Sequence, residues 1–220
     1  MSDTRTTPVK KILDKAKIIL SDCELNNDEL ISLLGGVVSD LVMGYDLGFT
    51  EEEFSGHVPS GVNKLELPDN YARATQLFIL DPENLESSDL SSGYERRDVF
   101  SKCRPFPEYQ PCGKPCNWTI IKGCLVFDRP FDRPYILKMC YIPCADEVTS
   151  IDDSINFPPK FCDVVVDALV VRIHMMNDDY DKAAMVQGQL DGKIVRMTRD
   201  DAFDQMAEDD VIPTVWGYHG

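Results

Sequence analysis

The sequence predicts an α+β fold: a small helical bundle of about four helices, a β-rich insertion and an extended C-terminal docking tail. Apolar residues recur at helical spacing near both ends of the 220-residue chain, whereas the middle carries many prolines and short β-like runs. The end of the chain combines acidic residues with an apolar, tryptophan-bearing stretch. These features place the N-terminal helices in residues 1–56, the insertion in 57–157, the C-terminal helices in 158–198 and the tail in 199–220.

The first helix is predicted to begin at Thr7 and Pro8. Threonine is a favourable N-cap, and proline suits the first helical position because the N–H it lacks has no partner there. Apolar residues then follow at helical spacing: Ile12, Leu13, Ala16, Ile19 and Leu20.

The second helix is predicted to begin at Asn26 or Asn27, each a good N-cap residue. Asp28-Glu29 then lies near the positive end of the helix dipole. Gly35-Gly36 falls inside this helix, where each glycine costs about 1 kcal/mol relative to alanine. We expect a close helix–helix crossing to compensate for that cost.

The central residues 57–157 are predicted to be rich in β-strands. Lys122-Gly123 is a plausible tight hairpin turn, and the polar segment Asp81–Tyr94 is predicted to be an exposed loop. The predicted strands are Lys64–Leu67, Thr75–Leu80, Trp118–Ile121, Cys124–Phe127 and Tyr135–Ile142.

Two further helices are predicted in residues 158–198. Pro158-Pro159 begins the third helix, and Asn177–Asp179 separates it from a fourth that ends near Met197. The apolar face of the third consists of Phe161, Val164, Val165, Ala168, Leu169 and Ile173. The inner positions of the fourth are Tyr180, Ala183, Ala184, Gln187, Leu190, Ile194 and Met197.

Composition excludes several classes of protein. The chain has 38 acidic and 22 basic residues, a net charge of −16, which argues against nucleic-acid binding through a basic face. The N-terminus lacks the apolar core of a signal peptide, and the apolar run Val164–Ile173 is too short to span a membrane. We therefore expect a protein made in the cytoplasm, with reduced cysteines and no membrane partner.

The cysteines raise an alternative, a zinc-stabilised cytosolic protein-binding module. Thiolates at short spacing can hold zinc, although both close pairs are spaced C-x3-C rather than C-x2-C, and no histidine lies near them in sequence. We expect no metal, and cysteines that act as small apolar side chains. The six central cysteines are Cys103, Cys112, Cys116, Cys124, Cys140 and Cys144.

No catalytic or cofactor-binding residue is predicted. The sequence lacks the phosphate-loop, zinc-protease and nucleophile-elbow motifs, and its three histidines are scattered. We therefore expect a protein that is not an enzyme and carries no cofactor.

The C-terminal tail contains the candidate site. Asp200–Asp210 holds six acids and no base, and an extended apolar string follows it. An exposed string of this kind would be an anchor for a partner, whereas the alternative is that it folds back on its own core. The candidate docking residues are Val211, Ile212, Pro213, Val215, Trp216 and Tyr218.

Five passages in this order resemble the head–tail adaptor (connector) proteins of tailed bacteriophages, chiefly those with short tails. Trp118–Tyr141, with Phe127-Asp128-Arg129-Pro130 at its bend, is similar to a hairpin of that family that often reads F-D-P. The other passages are Ile12–Asp22, Asn27–Leu34, Leu65–Arg73 and Phe157–Leu169, the last followed by Tyr180–Ala184. Together they span nearly the whole chain.

The resemblance implies a structural virion protein. About twelve copies would form a ring beneath the portal ring, with the C-terminal segment docked on the portal protein. The ring would be the attachment platform for tail or nozzle proteins and a channel through which genomic DNA passes without specific binding. The expected location is the virion neck, after synthesis in the host cytoplasm.

Overall fold

The computed structural model describes residues 6–20, 25–45, 47–83 and 86–209. The chain divides into two compact units, one made of Met1–Thr50 with Cys144–Gly220 and the other of Glu51–Pro143. We call the first the helical unit and the second the β unit. The β unit is inserted between the two parts of the helical unit, with bounds that differ from the predicted 57–157.

Five α-helices and nine β-strands are formed by the described residues. The helices are α1 (Val9–Ile19), α2 (Asn27–Gly44), α3 (Arg97–Cys103), α4 (Cys162–Met176) and α5 (Tyr180–Asp209). The strands are β1 (Thr7–Pro8), β2 (Glu52–Val58), β3 (Lys64–Glu66), β4 (Tyr71–Asp81), β5 (Glu86–Asp89), β6 (Trp118–Ile121), β7 (Cys124–Phe127), β8 (Tyr135–Pro143) and β9 (Ser154–Ile155).

The chain is α+β, but the predicted small bundle of about four helices is wrong. Helices account for 46% and strands for 24%, and the strands form three antiparallel sheets. The sequence pattern missed α3, since seven residues are too few to show a clear helical period. It also missed β5, which pairs with β4 inside the predicted loop Asp81–Tyr94.

The predicted extended tail is also wrong over residues 199–209, because α5 continues to Asp209. In the sequence, the acidic residues from Asp200 onward indicate the start of the docking tail, whereas those up to Asp209 lie in the helix. Acidic side chains do not prevent a helix, and Asp201 is buried with a structural role described below.

Helix α4 is the centre of the helical unit. Most of its residues are buried, from Val164 to Ile173, and α1, α2 and α5 each pack against it. A helix that is apolar on nearly all sides requires partners on all of them, which explains why the longest apolar run of the sequence lies here.

Local signals set the start of two helices. Asn26 caps α2 with a complete capping box, since its side chain accepts the Glu29 N–H and the Glu29 carboxylate accepts the Asn26 N–H, both at 2.9 Å. The predicted start of α1 is wrong by one position. Pro8 is the N-cap, and the Thr7 hydroxyl instead donates to the Phe157 carbonyl at 2.6 Å.

The expected helix crossing at Gly35-Gly36 is wrong. A Cβ added at Gly36 would have no described atom within 4 Å, and one at Gly35 would reach only the Val148 Cβ at 4.0 Å. The two glycines therefore destabilise α2 relative to alanine, and no close contact in the described structure requires a glycine at either position.

The β unit contains two antiparallel sheets that share one core. The larger has the strand order β2-β8-β4-β5 and the smaller β3-β7-β6. Lys122 and Gly123 join β6 to β7 with φ of 53° and 73°, which is the backbone of a type I′ hairpin and confirms the predicted turn. The core residues include Leu77, Ile79, Trp118, Leu125, Phe127, Phe131, Leu137 and Met139.

Candidate docking surfaces

The predicted docking residues Val211, Ile212, Pro213, Val215, Trp216 and Tyr218 lie outside the described residues. The structure does describe α5, the helix that leads to them. Its 30 residues correspond to about 45 Å of helix at the usual rise per residue.

Helix α5 is attached to α4 by apolar contacts and one ion pair. Its buried residues include Ala183, Leu190 and Ile194, and the Lys193 ammonium donates to the Asp167 carboxylate of α4 at 2.5 Å. The predicted inner positions Tyr180 and Ala184 are exposed instead. Both residues lie in the first turns of α5. There, the side of the helix that was predicted to be buried is not the side that packs against the rest of the unit.

Asp201 fixes the later part of α5 to the segment after α2. Its side chain is only 5% exposed, and its two oxygens accept the N–H groups of Gly48 at 2.6 Å and Phe49 at 3.2 Å. These N–H groups begin the single 3-10 turn Gly48–Thr50, whose first donors have no partner within the turn. The carboxylate therefore caps that turn and determines where the C-terminal segment starts.

An apolar groove lies between α2, α4 and α5. Its volume is about 390 Å³, with Ala168 and Val171 of α4 as its floor, Leu41 of α2 on one side and Leu190 of α5 on the other. The ion pair between Arg172 and Asp40 lies along it. Such a groove is the shape that an apolar peptide segment fills.

Exposed methionines surround the turn between α4 and α5. Met175, Met176 and Met185 are all exposed, together with the Tyr180 ring. Methionine side chains are flexible and polarizable, and they adapt to different partners. The helical unit thus has apolar surface beyond the predicted tail, which the sequence pattern alone did not distinguish from core.

Carboxylates of the helical unit have defined partners. Lys15 donates to Asp163 at 2.6 Å, and this bond lowers the pKa of the aspartate. Asp179 lies 2.7 Å from the Lys182 ammonium and 3.8 Å from His174 Nδ1, and the hydrogen bond from Lys182 is the main cause of its lowered pKa. These groups act as ion-pair partners at helix ends.

The central cysteines do not converge. Among the described residues, no three histidine, cysteine, aspartate or glutamate side chains form a group that could hold a metal ion. Cys103, Cys112, Cys116 and Cys144 are exposed, and the two others are half-buried. Burial raises the pKa of the Cys140 thiol. Nothing in this arrangement favours the zinc module.

No helix among the described residues is both long enough and apolar enough to cross a membrane. No family model matches the sequence, and no curated protein matches it.

Proposed function

We propose that this protein is a head–tail adaptor of a tailed bacteriophage, which forms a ring beneath the portal ring. The observation that carries the proposal is the order of the five family-like passages across nearly the whole chain. In this role the protein is the platform for tail or nozzle proteins, and it is located in the virion neck.

The local structure of the five passages supports the proposal. The first two lie largely in α1 and α2, and Leu65–Arg73 runs from β3 through a turn into β4. Trp118–Tyr141 contains the β6–β7 hairpin and most of β8, and Phe157–Leu169 leads into α4. Each passage therefore has the kind of element that the resemblance implies, in the same order along the chain.

The distribution of charge also supports the proposal. The helical unit contains 24 acidic and 11 basic residues, whereas the β unit contains 14 and 11. An excess of carboxylates repels DNA phosphates, so a ring built from this chain lets the genome pass without binding it specifically.

The portal contact is assigned to the C-terminal residues after α5. The Asp201 cap and the packing of α5 on α4 fix the helix that presents them. The apolar end, with Trp216 as its largest side chain, then supplies the buried anchor that a protein interface needs.

Co-sedimentation with the portal protein of the same genome tests the proposal. We expect the full chain to bind, and a chain that ends at Asp209 to remain folded but lose binding. This cut keeps Asp201, whereas a cut after Thr198 would remove the cap and confuse folding with docking. The control is Val195→Ala, which shortens an exposed apolar side chain of α5 outside the tail and should bind normally.

The outcomes separate two claims. Absence of binding by the full chain would contradict the adaptor function. Full binding by the chain that ends at Asp209 would contradict the assignment of the portal contact to the tail. Trp216→Ala should weaken binding while both units remain folded.

A further inference from the structure

One side of the β unit exposes aromatic and basic side chains together. We call it the α3 face and define it as Tyr94–Tyr109 with Lys64 and Lys122. Phe106 is 60% and Tyr109 is 81% exposed, and their rings contact each other edge to face. Tyr94 and Val99 are exposed in the same segment, which thus holds most of the exposed large apolar side chains in the described part of the β unit.

A pocket of about 340 Å³ lies within the α3 face. Phe100, Ile121 and Val126 give it an apolar lining, together with Pro105 and Pro107. Its charged lining residues are three bases, Lys64, Arg104 and Lys122, and one acid, Glu108. The lining of the pocket is therefore partly apolar and, among its charged side chains, mainly positive.

Two of these cations are available for a partner. No carboxylate of the described residues lies within ion-pair distance of Lys64 or Lys122. Arg104 is held in place, since it pairs with Glu95 at 2.6 Å and its guanidinium lies 5.4 Å from the centre of the Phe100 ring. Residues 96–129 contain seven bases and three acids, in a chain whose net charge is −16.

The same chain contains a segment of complementary chemistry. Residues 202–210, which follow the buried Asp201, hold four acids and no base, with Phe203 and Met206 among them, and they form the end of α5 up to Asp209. Exposed ion pairs contribute about 0.2–1 kcal/mol each, so charge alone would not hold a partner. A segment that combines carboxylates with apolar side chains matches both parts of the pocket.

We propose that the α3 face of one copy binds the acidic end of α5 from a second copy of this chain. The inference rests on the proposed ring, because two different complementary surfaces on one chain give a head-to-tail contact that closes into a ring. Each copy then offers its basic face to one neighbour and its acidic helix end to the other. The apolar residues after Asp210 remain free for the portal.

Charge reversal and charge exchange test this contact. In the double variant Lys64→Glu/Lys122→Glu, the affinity of assembly on the portal ring should fall about 10- to 100-fold, because two attractive charge contacts become repulsive. Adding Glu208→Lys/Asp209→Lys to the same chain reverses the partner surface and should restore assembly. Lysines at the C-terminal end of a helix also favour its dipole, so this exchange should not unfold α5.

The control is Lys114→Glu, which makes one such charge reversal at an exposed lysine that does not line the pocket; it is compared with Lys64→Glu and Lys122→Glu made singly. It should assemble like the unmodified chain. Circular dichroism and tryptophan fluorescence show whether each variant is folded before assembly is compared.

Thiol labelling of the unmodified protein gives a second readout that needs no variant and no portal. Cys124 lines the pocket and Cys140 lies in the larger sheet, and both are half-buried. As protein concentration rises, labelling of Cys124 should slow at least severalfold while labelling of Cys140 stays constant. Equal behaviour of the two thiols would contradict the contact.

Three results overturn the inference. They are full assembly of the Lys64→Glu/Lys122→Glu variant, no recovery of assembly after charge exchange, or equal labelling of Cys124 and Cys140 as protein concentration rises. If the variant still fills the portal ring, the inference fails and the adaptor function stands. If the unmodified chain does not bind the portal, the adaptor function fails and the labelling of Cys124 decides the contact.

Discussion

Asp201→Ala is expected to destabilise the helical unit by about 2–4 kcal/mol. The substitution removes a buried carboxylate that accepts two backbone N–H groups, at 2.6 Å from Gly48 and 3.2 Å from Phe49. Hydrogen bonds to a charged group contribute about 1.5–3 kcal/mol each, and the longer bond belongs at the lower end of that range. Both N–H groups are half-buried, so water replaces part of what is lost.

Two further variants make the comparison specific. Asp201→Asn keeps the shape and one carbonyl acceptor, and it should lose about half as much stability as Asp201→Ala. The control is Asp200→Ala at the neighbouring position, where the side chain is 44% exposed and pairs with Arg199 at 3.4 Å. Its expected effect is below about 0.5 kcal/mol.

Urea unfolding followed by far-ultraviolet circular dichroism measures these differences, since the large helical signal reports on α5 and its neighbours. Chains that end at Asp209 retain only one of the two tryptophans, Trp118, whose fluorescence then checks the β unit separately. If the free energies of unfolding of Asp201→Ala and Asp200→Ala differ by less than about 0.5 kcal/mol, the Asp201 cap does not stabilise the helical unit, which contradicts the expected effect.

Four other variants test separate parts of the structure. Gly36→Ala should stabilise α2 by about 1 kcal/mol in urea unfolding, because the added methyl has free space; a loss would show a hidden contact. Gly93→Ala places a Cβ 2.2 Å from the Cys116 carbonyl oxygen, and should lower the stability measured by Trp118 fluorescence by about 1–3 kcal/mol. Leu169→Asp buries an unpaired charge in α4 and should abolish the cooperative helical transition; a normal transition would contradict the packing. The Asp153 carboxylate accepts the backbone N–H groups of Thr149 and Ser150, and these hydrogen bonds lower its pKa. Its contribution to the free energy of unfolding is therefore present above about pH 4 and is lost as the pH falls further. When the pH is lowered from about 5 to about 3, the free energy of unfolding of Asp153→Asn should therefore fall by less than that of the unmodified chain. An equal fall would contradict this role of Asp153.

Local signals predicted the elements whose physics is local. The sequence predicted a tight turn at Lys122-Gly123 and a helix start at Asn26 or Asn27, both from residues within a few positions. In the structure the turn has type I′ backbone angles, and Asn26 is the N-cap, where Glu29 completes a capping box. The strands β6 and β7 were predicted with their observed bounds because a two-residue turn fixes their register.

Tertiary contacts decided the elements that the sequence did not predict. The strand β5 has a polar sequence, Glu86–Asp89, and exists because β4 offers it a free edge. The extension of α5 past Met197 includes Asp201, whose hydrogen-bond partners lie about 150 positions earlier in the chain. A pattern of apolar residues contains no information about such a cap.

The candidate surfaces were predictable only in part. The apolar, tryptophan-bearing end stands out in the sequence because it directly follows a run of six acids that contains no base. The α3 face did not stand out, since Lys64, Arg104 and Lys122 are separated in sequence. They line one pocket because β3 pairs with β7 of the β6–β7 hairpin. The net charge of −16 describes the whole chain and does not reveal that one face of the β unit has more bases than acids.

Native mass spectrometry of the protein mixed with the portal protein from the same genome tests the adaptor proposal most directly. The account predicts a discrete complex with many copies of this chain on each portal ring, and its mass gives their number. A spectrum that contains only free chain and free portal ring, from proteins that are both folded, would contradict the proposed function.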